Sequence, residues 1–179
     1  TLDTTEDVLA FKQACRKHLV KTLNLPELGE RPLFCPVTRL VEQKGPELIA
    51  AAIDHLASQD AAFVLLGSPM EAKTQVLFEE LKVKYQDNPF ISFNFRFDEA
   101  LAHEIFASSD FTLIPSIFEP CGLTQMIALR YGCLPIVHHI GGLKDTIHDA
   151  AKGPHDLRNG YSFKKAEMGP MKKALDRAL

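Results

Sequence analysis

The fold is decided by the stretch Phe111-Thr112-Leu113-Ile114-Pro115-Ser116-Ile117-Phe118-Glu119-Pro120-Cys121-Gly122-Leu123-Thr124-Gln125. Residues 111–115 are a short apolar run typical of a buried β-strand, and residues 123–131 have a helical pattern. The loop between them carries one carboxylate, Glu119, and then Gly122 and Thr124 at the start of the helix. A helix N-terminus offers free N–H groups and partial positive charge. This loop can therefore hold an anion while Glu119 accepts hydrogen bonds from a polyol.

Segments of two kinds alternate on either side of this stretch. Five short apolar runs predict β-strands, at residues 33–38, 61–66, 90–95, 111–115 and 134–137. Between them, apolar residues three and four apart predict helices, as at residues 48–56 and 101–106. Nearly continuous apolar strands are typical of a parallel sheet that helices cover on both faces. The sequence therefore predicts an α/β fold with a doubly wound, Rossmann-like parallel sheet and right-handed crossovers.

The two flanks differ from the middle of the chain. Residues 6–23 predict an amphipathic helix that ends at Asn24-Leu25-Pro26, and residues 159–163 predict a turn into a short edge segment. A last helix is predicted from about Pro170. We predict a single domain overall, with an N-terminal helix and linker at residues 1–28 and the Rossmann-like domain at residues 29–179. The start at Thr1 and a last helix without a C-cap suggest a fragment of a longer chain.

Composition excludes several function classes. A net charge of −3 and a pI of about 6.1 provide no basic field for nucleic acid or an anionic membrane. No apolar run approaches the ~20 residues of a membrane span, and nothing reads as a signal peptide. Cys15, Cys35, Cys121 and Cys133 lack the spacing of metal ligands or of a redox pair. We expect them to be reduced core residues in a cytosolic setting.

Polar, cationic and glycine residues follow the predicted strands. Arg39 and Lys44 come after the first strand, Phe97 lies beyond the third, Glu119 follows the fourth, and Gly141-Gly142-Leu143 follow the fifth. Ligands of doubly wound sheets bind beyond the carboxyl ends of the strands. The sequence therefore predicts that these residues share one site.

Four motifs in order resemble the bacterial glycogen synthase and plant starch synthase family. They are Arg39 with Gln43-Lys44-Gly45, Phe97-Asp98-Glu99-Ala100-Leu101-Ala102-His103, the run at residues 115–126, and Gly141-Gly142-Leu143-Lys144-Asp145-Thr146. The resemblance covers residues 33–163, and its Glu-Pro-Cys-Gly-Leu-Thr-Gln element is highly specific. It implies the C-terminal, ADP-binding half of a two-Rossmann-domain (GT-B) glycosyltransferase. Such an enzyme moves glucose from ADP-glucose to the non-reducing end of an α-1,4-glucan with retention of configuration, and its N-terminal domain supplies the acceptor cleft.

The resemblance also implies roles for single residues. Arg39 and Lys44 would hold the diphosphate and neutralise charge on the departing ADP. Glu119 would bind glucose hydroxyls and stabilise positive charge at the anomeric carbon, and Phe97 would stack on adenine. The phosphate groups would meet residues at two helix starts, namely Gly122, Leu123 and Thr124, and Gly141, Gly142 and Leu143. No metal or cofactor is expected, because the chain has no Asp-x-Asp pair.

Each of these roles has a plainer alternative. Arg39 and Lys44 could be ordinary solvated charges, and Glu119 could be an N-cap. Phe97 could equally well be a core residue.

Three histidines and one cysteine are of residue types that often act in catalysis. Because adjacent residues on a strand point to opposite faces, one of His138 and His139 is expected to be buried and hydrogen-bonded. His103, on a predicted helix, is expected to pack or to form a hydrogen bond. Cys121 is expected to be a core residue at a helix start, since no partner histidine is specified for it.

Three isoleucines depart from related patterns. Ile117 stands where bacterial members often carry Arg, and Ile140 where they usually carry Thr. Ile127 stands where wider GT-B relatives have a second acid, and the absence of that acid is normal among glycogen synthases.

Two rival functions stay open. One is another retaining GT-B transferase that uses a UDP- or GDP-sugar, such as a sucrose synthase-like protein, and the other is an inactive homologue that binds glucan or acts as a scaffold. We expect a cytoplasmic location, or a plastid one in a plant.

Overall fold

A six-stranded parallel sheet forms the centre of the computed structural model, which describes residues 4–179. The strands are β1 (Leu33–Cys35), β2 (Ala62–Leu66), β3 (Ile91–Asn94), β4 (Phe111–Ile114), β5 (Leu134–His138) and β6 (Tyr161–Phe163). Their order across the sheet is β3-β2-β1-β4-β5-β6, and every neighbouring pair is parallel. The predicted doubly wound, Rossmann-like fold is confirmed, and the predicted edge segment is the outer strand β6.

Helices join the strands and cover both faces of the sheet. They are α1 (Thr5–Thr22), α2 (Pro46–Ala57), α3 (Ala72–Lys84), α4 (Glu99–Ser108), α5 (Thr124–Arg130), α6 (Gly141–Thr146) and α7 (Met168–Ala178). Single 3-10 turns lie at Glu42–Lys44 and His155–Leu157. Within residues 4–179, no helix combines the length and apolar character needed to cross a bilayer.

The first strand is shorter than the sequence predicts. It ends at Cys35, because Pro36 has no N–H to donate to a neighbouring strand. Pairing resumes beyond the proline as an isolated bridge between Val37 and Leu66. The chain therefore still runs alongside β2 as it leaves the sheet.

The pleat of the strands divides the core between the two faces. On β2, Phe63 and Leu65 belong to the cluster that packs under α2, α3 and α7, whereas Ala62, Val64 and Leu66 belong to the cluster under α1, α4 and α5. All five side chains are buried. This alternation within one apolar run is what a sheet covered on both faces requires.

The strand order reverses between β1 and β4. The chain leaves β1 towards α2 on one face of the sheet and leaves β4 towards α5 on the other face. The two loops therefore diverge at the carboxyl edge, and a crevice opens between them. In doubly wound folds this switch point is the usual place for a ligand.

The four cysteines do not all fill the core. Cys35 and Cys133 are buried as expected, and Cys15 is half-buried, but Cys121 is exposed. The expectation that Cys121 is a core residue is wrong. The space beneath its loop is filled instead by the amide side chain of Gln125, which is fully buried. All four thiols are free.

Lys12 anchors α1 to the rest of the domain. Its Nζ donates to the backbone carbonyls of Ser109 at 2.6 Å and of Ala107 and Tyr131 at 3.4 Å, which lie at the ends of α4 and α5. Burial is the main cause that lowers the pKa of Lys12. One ammonium thus satisfies carbonyl groups that the helix ends leave without intrahelical partners.

Replacing Lys12 by Met is expected to lower the free energy of unfolding by ~1.5 kcal/mol, because the carbonyls lose a charged donor while the aliphatic stem remains. Urea unfolding followed by circular dichroism measures the change. Lys17→Met is the matched control, since Lys17 lies exposed on the same helix. Equal midpoints for the two variants would show that Lys12 does not anchor α1.

Candidate functional site

The two loops at the switch point lie in direct contact. We call residues 36–45 the β1 loop and residues 115–123 the β4 loop. The amide N–H of Ile117 donates to the carbonyl of Gln43 at 2.9 Å, and Gln43 Nε2 donates to the carbonyl of Phe118 at 3.1 Å. These bonds hold the 3-10 turn at Glu42–Lys44 against the β4 loop. The last residue of that turn, Lys44, is thereby placed beside Glu119.

Lys44 and Glu119 form an ion pair at the centre of the crevice. Lys44 Nζ lies 2.5 Å from Glu119 Oε2, and the Ser116 hydroxyl donates to the same oxygen at 2.9 Å. Only 19% of the Lys44 side chain and 12% of the Glu119 side chain are exposed. Because the pair is largely buried, water screens its attraction less than it screens that of a surface pair. This attraction and the Ser116 hydrogen bond hold the carboxylate in one position.

This pair decides between two interpretations of Glu119. The carboxylate does not cap a helix, because it bonds to Lys44 and Ser116, and α5 begins after Leu123 without a side-chain cap. The N-cap alternative is therefore wrong. Among residues 4–179, the second oxygen of Glu119, Oε1, has no hydrogen-bond partner and is available to a ligand.

A buried histidine supports the β4 loop from below. His138 Nδ1 lies 2.8 Å from the carbonyl of Ser116, and its ring stacks on Phe163 with a centroid distance of 5.6 Å. Because a carbonyl can only accept, Nδ1 carries the proton and donates it. The prediction that one of the two adjacent histidines is buried and hydrogen-bonded is confirmed for His138, whereas His139 is half-buried. His103 also forms a hydrogen bond as expected, to the Tyr131 hydroxyl.

A buried glutamine fixes the second half of the β4 loop. Gly122 adopts φ +74°, a left-handed conformation that favours glycine. Gln125 Nε2 donates to the Gly122 carbonyl at 2.9 Å and to the Thr146 hydroxyl at 3.1 Å. That hydroxyl donates in turn to the carbonyl of Gly142. The β4 loop is thus tied through side chains to the start of α6.

The glycine pair that opens α6 packs against the β4 loop. A Cβ atom on Gly142 would lie 1.7 Å from the carbonyl oxygen of Cys121, so no larger residue fits there. The N–H of Gly142 donates to the carbonyl of Glu119 at 3.0 Å, and that of Leu143 donates to Ile140. These two predicted phosphate donors therefore already have partners inside the protein. Among the described residues the N–H of Gly141 has none, so phosphate binding by this segment stays a prediction with Gly141 as its free donor.

An open cleft of about 540 Å³ lies beside the crevice. Three of the predicted site residues, Arg39, Phe97 and Thr124, line it. Its volume lies in the range of small-molecule sites. Thr124 also lines a small depression that Lys44 and Glu119 share, so the cleft and the ion pair are neighbours.

Phe97 and Arg39 face solvent at this cleft. Phe97 is 93% exposed, so the alternative that it is a core residue is wrong. The guanidinium of Arg39 is exposed and makes no ion pair in the part of the chain that the structure describes. By contrast, Arg96 lines the same cleft but bonds to Asp98 at 3.1 Å. Arg39 is therefore a cation whose charge is not offset at the mouth of the cleft.

Three isoleucines border the site. Ile117 and Ile127 are exposed, Ile127 lines the cleft, and Ile140 is half-buried. In residues 4–179, no group of three His, Cys, Asp or Glu side chains could hold a metal ion.

Sequence reasoning missed the contacts of three residues that shape the site. Ser116 and Gln125 lie within the stretch that decides the fold, yet only the folded chain shows that they bond to Glu119 and to the β4 loop. The signal available for His138 was its place at the end of a strand. It predicted burial but not the partner, Ser116, which lies 22 residues away along the chain.

The fold and the site define a doubly wound α/β domain, with cations and a carboxylate at the switch point of a Rossmann-like sheet, where such folds usually bind a ligand. The chain belongs to the family of glycosyl transferases group 1, whose model matches residues 23–179. This confirms that the chain is a glycosyltransferase domain.

The similar proteins within this family are glycogen and starch synthases, which confirms the resemblance seen in the motifs. The chain is 42% identical over 180 residues to glycogen synthase 2 of Methylococcus capsulatus, covering 99% of this chain and 36% of that protein. It is 43% identical over 169 residues to probable starch synthase 4 of Arabidopsis thaliana, covering 93% of this chain and 16% of that protein. The chain therefore spans about a third or less of the length of these curated relatives.

A solved structure also matches closely. The catalytic domain of starch synthase IV from Arabidopsis thaliana, bound to ADP and acarbose, superposes with a TM-score of 0.89 at 42% identity. The match covers 93% of this chain and 34% of that one. The sheet, its flanking helices and their order are thus those of a GT-B glycosyltransferase.

Proposed function

We propose that this chain is the nucleotide-sugar-binding domain of a glycogen or starch synthase, which transfers glucose from ADP-glucose to the non-reducing end of an α-1,4-glucan with retention. One observation carries the proposal. The Lys44–Glu119 pair lies at the switch point of the sheet, next to a cleft lined by Arg39, Phe97 and Thr124. Relatives named glycogen and starch synthases support the choice of glucose donor and glucan acceptor.

The cleft suits the nucleotide part of the donor. Phe97 offers an exposed aromatic face against which adenine can stack. Arg39 and Lys44 supply two positive charges for the diphosphate, and among the described residues the Thr124 hydroxyl has no hydrogen-bond partner, so it can donate to a phosphate oxygen. Because these groups neutralise the leaving diphosphate directly, we propose that binding of the donor needs no metal or cofactor.

Glu119 suits the reacting end of the donor. When the bond between the anomeric carbon and the diphosphate breaks, its electron pair leaves with ADP and positive charge develops on the sugar. The Glu119 carboxylate, 12% exposed and fixed by Lys44 and Ser116, stabilises that charge from a set position. We expect Lys44, which already pairs with the Glu119 carboxylate, to offset the negative charge of both that carboxylate and the diphosphate.

A second domain is needed for transfer. The chain covers only 36% of the Methylococcus relative and 34% of the starch synthase IV structure. Several large apolar side chains on the β4 loop and α5 are exposed, including Phe118 and Leu123. We propose that they face an N-terminal GT-B domain that carries the acceptor cleft and part of the donor site.

The chain alone is expected to bind ADP weakly and to transfer no glucose, because it holds only one side of the cleft. Thermal unfolding in the presence of ADP, UDP or GDP tests the binding, and ADP is expected to raise the midpoint most. Assays with ADP-glucose and glycogen test the transfer. Robust glucan elongation by the 179-residue chain would refute the need for a second domain.

The same measurements separate the rival functions. A larger shift with UDP or GDP would indicate another retaining GT-B transferase. Glucan binding without any nucleotide effect would indicate an inactive, glucan-binding homologue.

A further inference from the structure

A second cleft, of about 440 Å³, lies along the outer strand β6. Residues after α6 form one wall and α7 forms the other. It shares no lining residue with the 540 Å³ cleft, so the nucleotide-binding proposal does not account for it.

The charges around this cleft are unbalanced. Four lysines line it, namely Lys144, Lys152, Lys164 and Lys173. All four are exposed, and none makes an ion pair within residues 4–179. Ammonium groups that line one cleft without counter-ions repel one another, and an anion bound among them would remove this repulsion.

Asp149, the only acid among the described residues that line the cleft, does not offset these lysines. Asp149 Oδ2 accepts from Arg177 at 3.0 Å and from the N–H of Ser162 at 2.8 Å, and its other oxygen accepts from the N–H of Ala151. Arg177 also donates to the carbonyl of Ser162. Asp149 and Arg177 therefore neutralise each other and fix the wall of the cleft against β6.

His139 adds an uncommitted polar group. Its ring Nδ1 is buried and has no hydrogen-bond partner among the described residues. Burial and then the charges of Lys144 and Lys164 lower the pKa of His139, His138 adds to this effect, and Asp149 opposes it. The positive field thus extends to the floor of the cleft.

We propose that this cleft is a second ligand site, which binds a small organic anion carrying two phosphate groups. Ammonium groups bind phosphate oxygens well, and four lysines match the charge of about −4 that two phosphate monoesters carry above pH 7. The volume of the cleft fits a sugar-sized molecule rather than a polymer. The net charge of the chain is −3, so the attraction for an anion here comes from the lysines of the cleft and not from the overall charge of the chain.

Calorimetric titration with fructose 1,6-bisphosphate tests the site on the 179-residue chain. The double variant Lys164→Ala/Lys173→Ala is expected to weaken binding about tenfold or more, because two charged donors are lost. The matched control is Lys165→Ala/Lys172→Ala, which removes the same charge from adjacent positions that do not line the cleft. It should change the affinity by no more than about twofold.

Four further measurements decide the nature and the position of the ligand. Uncharged fructose should not bind, and inorganic phosphate should bind more weakly than the bisphosphate. The imidazole signals of His139 should shift during the titration. Arg39→Ala should leave the affinity for the bisphosphate unchanged. Equal weakening by both double variants, equal affinity for inorganic phosphate, or no binding by the unaltered chain would overturn the proposal.

Discussion

Turnover is expected to fall about 100-fold or more when Glu119 is replaced by Gln in the full-length enzyme, because the amide cannot stabilise positive charge on the sugar. The two side chains have nearly the same shape, so the Ser116 hydroxyl keeps an acceptor. What disappears is one negative charge at a position that is only 12% exposed. Release of ADP from ADP-glucose in the presence of glycogen measures the rate at saturating donor.

The control for this change is Glu42→Gln. Glu42 is an exposed acid in the 3-10 turn that ends at Lys44, and its loss removes the same charge from the β1 loop. It is expected to change turnover by no more than about twofold. Near-normal turnover of Glu119→Gln would mean that Glu119 has no part in the reaction and only holds Lys44 in place.

Local patterns in the sequence were enough to predict the sheet. Runs such as residues 61–66 are apolar at every position because helices cover both faces, and this continuity separates a parallel strand from a half-exposed one. The ends of the strands and helices were predicted less accurately. Pro36 ended β1 early, and α7 began at Met168 rather than at Pro170.

The members of the site were easier to predict than their contacts. The carboxyl ends of parallel strands meet at one edge, so the sequence could gather Arg39, Lys44, Phe97 and Glu119 there. It could not show that Lys44 and Glu119 touch, because they are 75 residues apart and meet only when the β1 and β4 loops dock. Spacing along the chain carries no information on such a contact.

The glycine pair shows a second limit of sequence reasoning. Gly141-Gly142 was expected to let phosphates approach the backbone closely. In the fold the close approach is made by the β4 loop, at the carbonyls of Glu119 and Cys121. A glycine in a sequence indicates that something approaches the backbone, but it cannot distinguish a ligand from another part of the same chain.

The affinity for ADP is expected to fall about 10- to 100-fold when Arg39 is replaced by Ala, which corresponds to ~1.5–3 kcal/mol for a charge-assisted hydrogen bond. Arg39 faces the cleft, is exposed, and has no counter-ion among the described residues, so its charge is available to the diphosphate. Calorimetric titration of the full-length enzyme with ADP measures the change. The loss should shrink at high salt, because an exposed charge is screened.

Arg96→Ala separates a specific contact from the general charge of the cleft. Arg96 lines the same cleft, but its guanidinium already bonds to Asp98, so its charge is largely offset. Its replacement is expected to weaken ADP binding by no more than about threefold. Equal losses for the two variants would mean that ADP responds only to the net charge of the cleft. An unchanged affinity for Arg39→Ala would remove Arg39 from the site, leaving Lys44 as the cation for the diphosphate.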